Sequence, residues 1–205
     1  MEKKIITISR EFGSGGRELG KRLAEALGYA YYDDEIITEI AKETNLSEEY
    51  ITSAVERGWS GFSFHYGRSF HPQFNKVAVE VLNAQTNVLK KLASKSNCVI
   101  VGRSSAAILD DLKPLKIFVC ADTQYKIDRC REKNPADADI PDAELIRNFK
   151  RIDNDRKRLH EQLTNTEWGS GKAYNISVNT SGLEIKQIIP ALSQFAKAWF
   201  ETHNK

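Results

Sequence analysis

The 205-residue sequence has no apolar run approaching the ~20 residues that cross a bilayer, which excludes a membrane-spanning role. Its first residues, Met1-Glu2-Lys3-Lys4, lead straight into a β-branched run and do not resemble a signal peptide. Cysteine is scarce: Cys98, Cys120 and Cys130 form an odd set without metal-ligand spacing. Cys98 and Cys120 lie in or beside apolar strand-like runs, so the expectation is buried, reduced thiols in a cytoplasmic protein. Charge imbalance is almost absent, with 30 Lys and Arg against 28 Asp and Glu and a net charge of +2. Bulk electrostatics therefore selects no particular partner. No internal repeat, low-complexity tract, Ser-His-Asp set or Cys-His set is present. His65 and His71 stand in one irregular insert without further metal ligands nearby, so no metal site is expected from protein side chains alone.

What is present begins at Ile5. The run Ile5-Ile6-Thr7-Ile8-Ser9-Arg10-Glu11-Phe12-Gly13-Ser14-Gly15-Gly16-Arg17-Glu18-Leu19-Gly20 reads as strand, glycine loop and helix. Leu19, Leu23 and Leu27 share one helical face. Glycines let backbone N–H groups point at an anion, and a helix N-terminus adds positive potential. A standard phosphate loop ends Gly-Lys-Ser/Thr; here the run is Gly15-Gly16-Arg17-Glu18. Arg17 falls where its guanidinium could fork onto phosphate oxygens. The alternative is a tight turn carrying a solvated arginine. A dinucleotide fingerprint fits less well, because Glu18 stands where close helix–strand packing needs Gly or Ala.

Short apolar runs at Ile5–Ile8, Val99–Val101 and Ile117–Val119 read as buried parallel strands. Tyr29–Tyr32 and Tyr174–Val178 are two more, the last alternating as an edge strand does. Helical patterns fall between them, at Gly16–Leu27, Asp34–Lys42, Ser47–Val55, Phe74–Ala93, Ser104–Leu109, Thr123–Glu132, Asp142–Leu163 and Glu184–Phe200. The expectation is one α/β domain over 1–205 with a five-stranded parallel sheet flanked by helices. Two segments break the alternation. Gly58–Phe74 is rich in Gly, Ser, His and aromatics (Trp59, Phe62, Phe64, Tyr66, Phe70), and Lys133–Pro141 is rich in Pro, Asp and Ala. They read as substrate-closing elements or as ordinary surface loops.

Three further clusters bear on chemistry. Gly102-Arg103 ends a buried strand and puts a cation at the carboxyl edge of the sheet, where open α/β sheets bind ligands; the alternative is an arginine that caps a carbonyl or pairs with a local acid. Arg147, Arg151 and Arg158 fall near one helical face with Asp155 among them. That face suits a charge-developing phosphoryl group or is a solvated stripe of ion pairs; nucleic acid is disfavoured by the low net charge. The helix around Arg129 could project a basic residue toward the same edge, or be a plain surface helix.

In this order the pieces resemble the nucleoside monophosphate kinases, and most closely the cytidylate-kinase-like proteins. Ile6-Thr7-Ile8 through Leu27 is similar to that family's first strand, phosphate loop and helix. Tyr31-Tyr32-Asp33 resembles its second strand and following acid. Gly102-Arg103 resembles the start of its Gly-Arg-Asp motif. Lys116–Val119 with Arg129 is similar to the next strand and helix, Arg151, Asp155 and Arg158 to its lid, and Asn175–Ile185 to its last strand and turn. The resemblance implies a phosphate-loop kinase fold with an acceptor-binding region over 34–92 and a lid over 133–170. It implies ATP and Mg²⁺, small-molecule nucleotide substrates, and phosphoryl transfer to a nucleoside monophosphate or related small acceptor; a catalytically inactive nucleotide-binding regulator is the rival reading. In the resulting scheme Gly13, Ser14, Gly15, Gly16 and Arg17 cradle phosphate, and Arg17, with Arg10 as a second candidate, stands in for the lysine. Arg151 and Arg158 close over the transferring group, with Asp155 orienting one of them, while Asp33, Arg103 and Arg129 face the acceptor. The chain departs from the family at Arg10, Gly16, Arg17 and Glu18 in the loop, at Glu39 where the family has arginine, and at Ser104 where it has aspartate.

Overall fold

The structure is a computed structural model that describes residues 3–56 and 72–203, with the side chains of 53–56, 72–76 and 78 left aside. His65, His71 and the aromatic cluster Trp59–Phe70 lie outside the described residues.

Five strands, β1 (Ile5–Arg10), β2 (Ala30–Tyr32), β3 (Cys98–Val101), β4 (Leu115–Cys120) and β5 (Ile176–Asn179), form one sheet in the order β2-β3-β1-β4-β5. Every pairing is parallel. Among the described residues eight α-helices accompany them: α1 (Gly16–Leu27), α2 (Glu35–Thr44), α3 (Glu48–Glu56), α4 (Pro72–Lys95), α5 (Ser105–Ile108), α6 (Thr123–Lys133), α7 (Asp142–Leu163) and α8 (Ile185–His203). The Ser47 hydroxyl caps α3 by accepting from Tyr50 N–H at 3.2 Å.

The absence of polar alternation in β1, β3 and most of β4 follows from cover on both faces. Ile5 and Ile100 pack with Ile36, Ile40, Val81 and Leu89 of α2 and α4. Ile6, Ile8, Val99, Val101 and Ile117 pack with Leu19 and Leu23 of α1 and with Ile189 and Leu192 of α8. Leu23 is fully buried in this second layer. Leu23→Ala is expected to lower unfolding free energy by about 2–5 kcal/mol, because a partly relaxed cavity replaces the lost side chain. Urea denaturation with an unchanged slope would measure it.

Register places the site. Ile8 lies opposite both Val101 and Ile117, and β3 ends at that level, at Val101. β1 also runs two residues beyond the apolar stretch, pairing Ser9 with Phe118 and Arg10 with Val119. Arg10 is therefore a strand residue whose side chain is fixed by the sheet.

Candidate functional site

The turn after β1 is held before any ligand arrives. The buried Ser14 donates its hydroxyl to Glu11 O at 2.8 Å, and Thr180 Oγ1 donates to Ser14 O at 2.7 Å. Phe12 N–H donates to Asp153 Oδ1 at 2.7 Å, tying α7 to the loop. Glu11 Oε2 accepts from Ala121 N at 3.2 Å and pairs with Lys126 Nζ at 2.5 Å. α1 then starts on Gly15, at a φ of 81°, and with no side chain at that position the helix has no side-chain cap. The first intrahelical bond runs from Leu19 N–H to Gly15 O at 3.0 Å. The N–H groups of Gly16, Arg17 and Glu18 thus have no intrahelical acceptor, and with the helix dipole they form an anion-binding end.

Arg10 lies across this end. A β-carbon at Gly16 would stand 2.6 Å from Arg10 Cβ, and one at Gly102 would stand 1.6 Å from Arg10 Nη1. Gly16 and Gly102 therefore leave the room that the Arg10 side chain fills. Arg10 is 8% exposed and Arg103 is 6% exposed. Burial, reinforced by the charges of Arg156, Arg103 and Arg17 and opposed by Asp33, pulls the pKa of Arg10 down to about 9. The group is still cationic at neutral pH. Like charges gathered out of water are costly unless an anion joins them.

Arg103 reaches the cluster through an unusual turn. Gly102, Arg103 and Ser104 have φ values of 74°, 55° and 50°. Left-handed backbone at two successive non-glycine residues costs on the order of 1–3 kcal/mol each, and such strain gathers at ligand sites. The turn aims Arg103 Nη2 at Asp34 Oδ1, 3.3 Å away.

Other residues singled out in the sequence occupy different ground. Arg17 pairs with Asp33 Oδ2 at 2.8 Å and Asp34 Oδ1 at 2.6 Å. Asp33 is buried, and its Oδ1 has no hydrogen-bond partner among the described residues. Arg129 lies over the phosphate loop, with Nε 3.1 Å from where a β-carbon of Gly15 would be, and it pairs with Glu18 at 2.6 Å. Burial raises the Glu18 pKa, but hydrogen bonds from Arg129 and Arg22 outweigh it and hold the carboxyl below its usual value. Arg151 binds Asn148 Oδ1 at 2.9 Å, 4.0 Å from Asp155, with its side chain 59% exposed; Arg158 is exposed as well. Glu39 is paired at the surface with Lys42.

From α7, Arg156 reaches the cleft, with Ile152, Leu159 and His160 in the same walls. It donates to Arg10 O at 3.1 Å and to Asp153 Oδ1 at 3.3 Å. Two cavities meet around it. One, of about 350 Å³, is lined by the loop from Arg10 to Glu18 with Arg129, Lys133 and Arg156. The other, of about 50 Å³, is lined by Arg10, Arg103, Ser104, Arg156, His160 and Trp168 among others. Arg10 and Arg156 line both.

His160 closes the smaller cavity. Its ring is stacked on Tyr174 at 5.8 Å and lies 3.0 Å from Thr166 Oγ1. Burial lowers its pKa. A histidine held neutral contributes stability that is complete above its unfolded pKa of ~6.5 and is lost as pH falls through the lower folded value. Melting temperature is thus expected to fall between pH 7.5 and 5.5, and to fall less in His160→Gln.

No group of three or more His, Cys, Asp or Glu side chains that could hold a metal ion occurs among the described residues. No helix among them is long and apolar enough to cross a membrane.

A parallel sheet in the order 2-3-1-4-5, with a glycine loop leading from its central strand into a helix N-terminus, defines a kinase-like protein of the phosphate-loop fold. The chain belongs to the cytidylate kinase-like family, whose profile matches residues 5–182. Its structure is similar to an uncharacterized protein from Eubacterium ventriosum, with 23% identity, a TM-score of 0.69 and coverage of 95% of this chain and 99% of the other. It is also similar to shikimate kinase from Bacteroides thetaiotaomicron, with 16% identity, a TM-score of 0.58 and coverage of 95% and 98%. For shikimate kinase from Acinetobacter baumannii, in complex with shikimate, the values are 15%, 0.54, 96% and 94%. No curated protein matches it in sequence. These structural likenesses establish the fold.

Proposed function

We propose that the protein transfers the γ-phosphoryl group of ATP to a nucleoside monophosphate or a related small acceptor. The observation that carries this reading is the placement of Arg10 and Arg156 in the walls of both cavities. The larger cavity takes the nucleotide phosphates, on the free N–H groups of α1 and under Arg129. The smaller one takes the anionic group of the acceptor, on Arg103. Residues 34–92 serve as the acceptor-binding region and 133–170 as the lid. As the new P–O bond to the acceptor oxygen forms, the bond from γ-phosphorus to the bridging oxygen breaks and ADP leaves. The shared guanidiniums stand where charge spreads over the transferring group, and positioning plus charge stabilisation supply most of the acceleration in such reactions. A phosphate acceptor is already anionic, so no strong base is required.

Mg²⁺ fits as an ion that arrives with the nucleotide and keeps most of its waters. The buried, unsatisfied Asp33 Oδ1 is suited to accept from one of those waters; bound Mg²⁺ would neutralise phosphate charge. Glu18 stands where the family places a metal-proximal threonine, and its pair with Arg129 is the observation favouring the rival reading of an inactive nucleotide-binding regulator. ATP consumption measured across nucleoside monophosphates, phosphorylated sugars and hydroxy acids decides. Acceptor-dependent ADP release supports transfer. ATP binding without turnover across the panel supports the regulator, and absence of ATP binding overturns both.

A further inference from the structure

A buried side chain on α4 bonds the carbonyl of the strained turn that presents Arg103. Gln85, on α4, is 2% exposed. Its Nε2 donates to Arg103 O at 2.8 Å, a buried bond between residues 18 apart in the chain. The turn's other bonds run between backbone groups: Gly102 N–H to Ile8 O at 2.9 Å ties its start to β1, and Ser105 N–H to Gly102 O at 2.9 Å and Ala107 and Ile108 N–H to Ser104 O at 2.9 and 3.0 Å are local. Gln85 thus supplies this turn's tie to the helix packed behind it. α4 shares its buried layer with α2, the helix that follows Asp33 and Asp34.

We infer that Gln85 is a positioning residue, which sets the left-handed backbone at Arg103 and so aims that guanidinium at the anion held in the smaller cavity. The reasoning is geometric. A left-handed Arg103 sends its side chain toward Asp34 and the Arg10 cluster. Relaxation of φ to the ordinary negative region would swing the side chain away. A carbonyl fixed by a buried amide donor resists that rotation, whereas the same carbonyl without its donor is left unsatisfied and gains by turning. Because the donor sits on α4, movement of α4 is passed directly to Arg103. This inference rests on the reading of Arg103 as an acceptor-side anion ligand.

The test is a double-mutant cycle on the full chain, with inorganic phosphate as the probe in calorimetric titration and melting temperature recorded alongside. The variants are Gln85→Met, which keeps length but removes the donor, Arg103→Gln, and the two combined; Gln85→Asn serves as a milder replacement if Gln85→Met does not fold. Gln85→Met is expected to weaken phosphate binding about tenfold, since a tenfold change is the loss of one ordinary hydrogen bond's effect. The double variant is expected to bind no more weakly than Arg103→Gln alone, and KM for ATP in any turnover assay to stay within about twofold, as the Gln85 side chain bonds the acceptor-side turn. Additive losses, or phosphate affinity indifferent to Gln85, overturn the inference and leave the proposed function standing. Failure of the unaltered protein to bind phosphate overturns the arginine cluster as an anion site, and the inference with it. Nucleotide binding at the loop is read separately by ATP titration.

Discussion

Arg10→Met is expected to lower kcat/KM for ATP-dependent transfer by about 10³-fold, within the range found when a guanidinium or a preorganised donor is removed from a phosphoryl or oxyanion site. The same variant is expected to melt at a higher temperature than the unaltered protein. Both effects come from one cause. Arg10 is buried with Arg156, Arg103 and Arg17 around it, and its pKa is depressed to about 9. A base whose folded pKa lies below its unfolded value is bound less well as a cation in the native state, so its charge costs stability at neutral pH. An anion reverses that cost, and this is the usual trade between a site's readiness and its stability. A coupled assay of turnover with a thermal melt in the absence of nucleotide reads the two effects. A loss of activity together with a loss of stability would assign Arg10 a purely structural role.

The second large effect separates two arginines two residues apart in α7, which helical geometry turns to nearly opposite faces. Arg156→Ala is expected to lower kcat by about 10²-fold or more, because it removes a charge shared by both cavities. Arg158→Ala is expected to change kcat by less than about threefold, as exposed surface charges contribute little. Arg156 also donates to Arg10 O at 3.1 Å, so Arg156→Lys, which keeps charge without the planar fork, is expected to recover only part of the loss. Equal effects at positions 156 and 158, measured by steady-state kinetics, would remove the distinction.

The fold was open to reading from particular residues. α1 and α7 occupy the same residues, Gly16–Leu27 and Asp142–Leu163, that their patterns outline. α1 is bracketed by Gly15 and Gly28, both left-handed, and Pro141 cannot continue a helix backward from α7. The five strands were legible as short β-branched or aromatic runs, although β1 and β4 extend beyond them, where pairing rather than hydrophobicity carries the strand on. β5 alternates because it is an edge strand.

The site was less legible, since it depends on pairings between distant residues. Nothing local marks Arg129 as the partner of Glu18, 111 residues away, or Arg17 as the partner of Asp33 and Asp34. Regular spacing of Arg147, Arg151 and Arg158 draws attention to exposed charges, two of which, Arg147 and Arg151, line a separate cavity of about 500 Å³ beside Phe12. The signal that was available lies in the apolar stripe of α7. Leu145 and Phe149 are buried, Ile152 is half-buried and Leu159 is buried, and Arg156 falls at the place in that stripe where another apolar residue would continue the inward face. A charge on an inward face needs a partner or a ligand. Gln85 carries a similar signal, a polar residue between the buried Ala84 and Val88 on α4. The glycines at 16 and 102 were visible, but their purpose was not: they make room for Arg10.

The central claim is that guanidinium groups, led by Arg10, hold the phosphates at the N-terminus of α1 in place of a lysine. A crystal structure with a non-hydrolysable ATP analogue and Mg²⁺ tests it most directly. The expected result is β- and γ-phosphate oxygens within hydrogen-bond reach, about 3 Å, of the Gly16 and Arg17 amides and of the Arg10 guanidinium. A triphosphate bound elsewhere, with Arg10 turned away from it, would contradict the account.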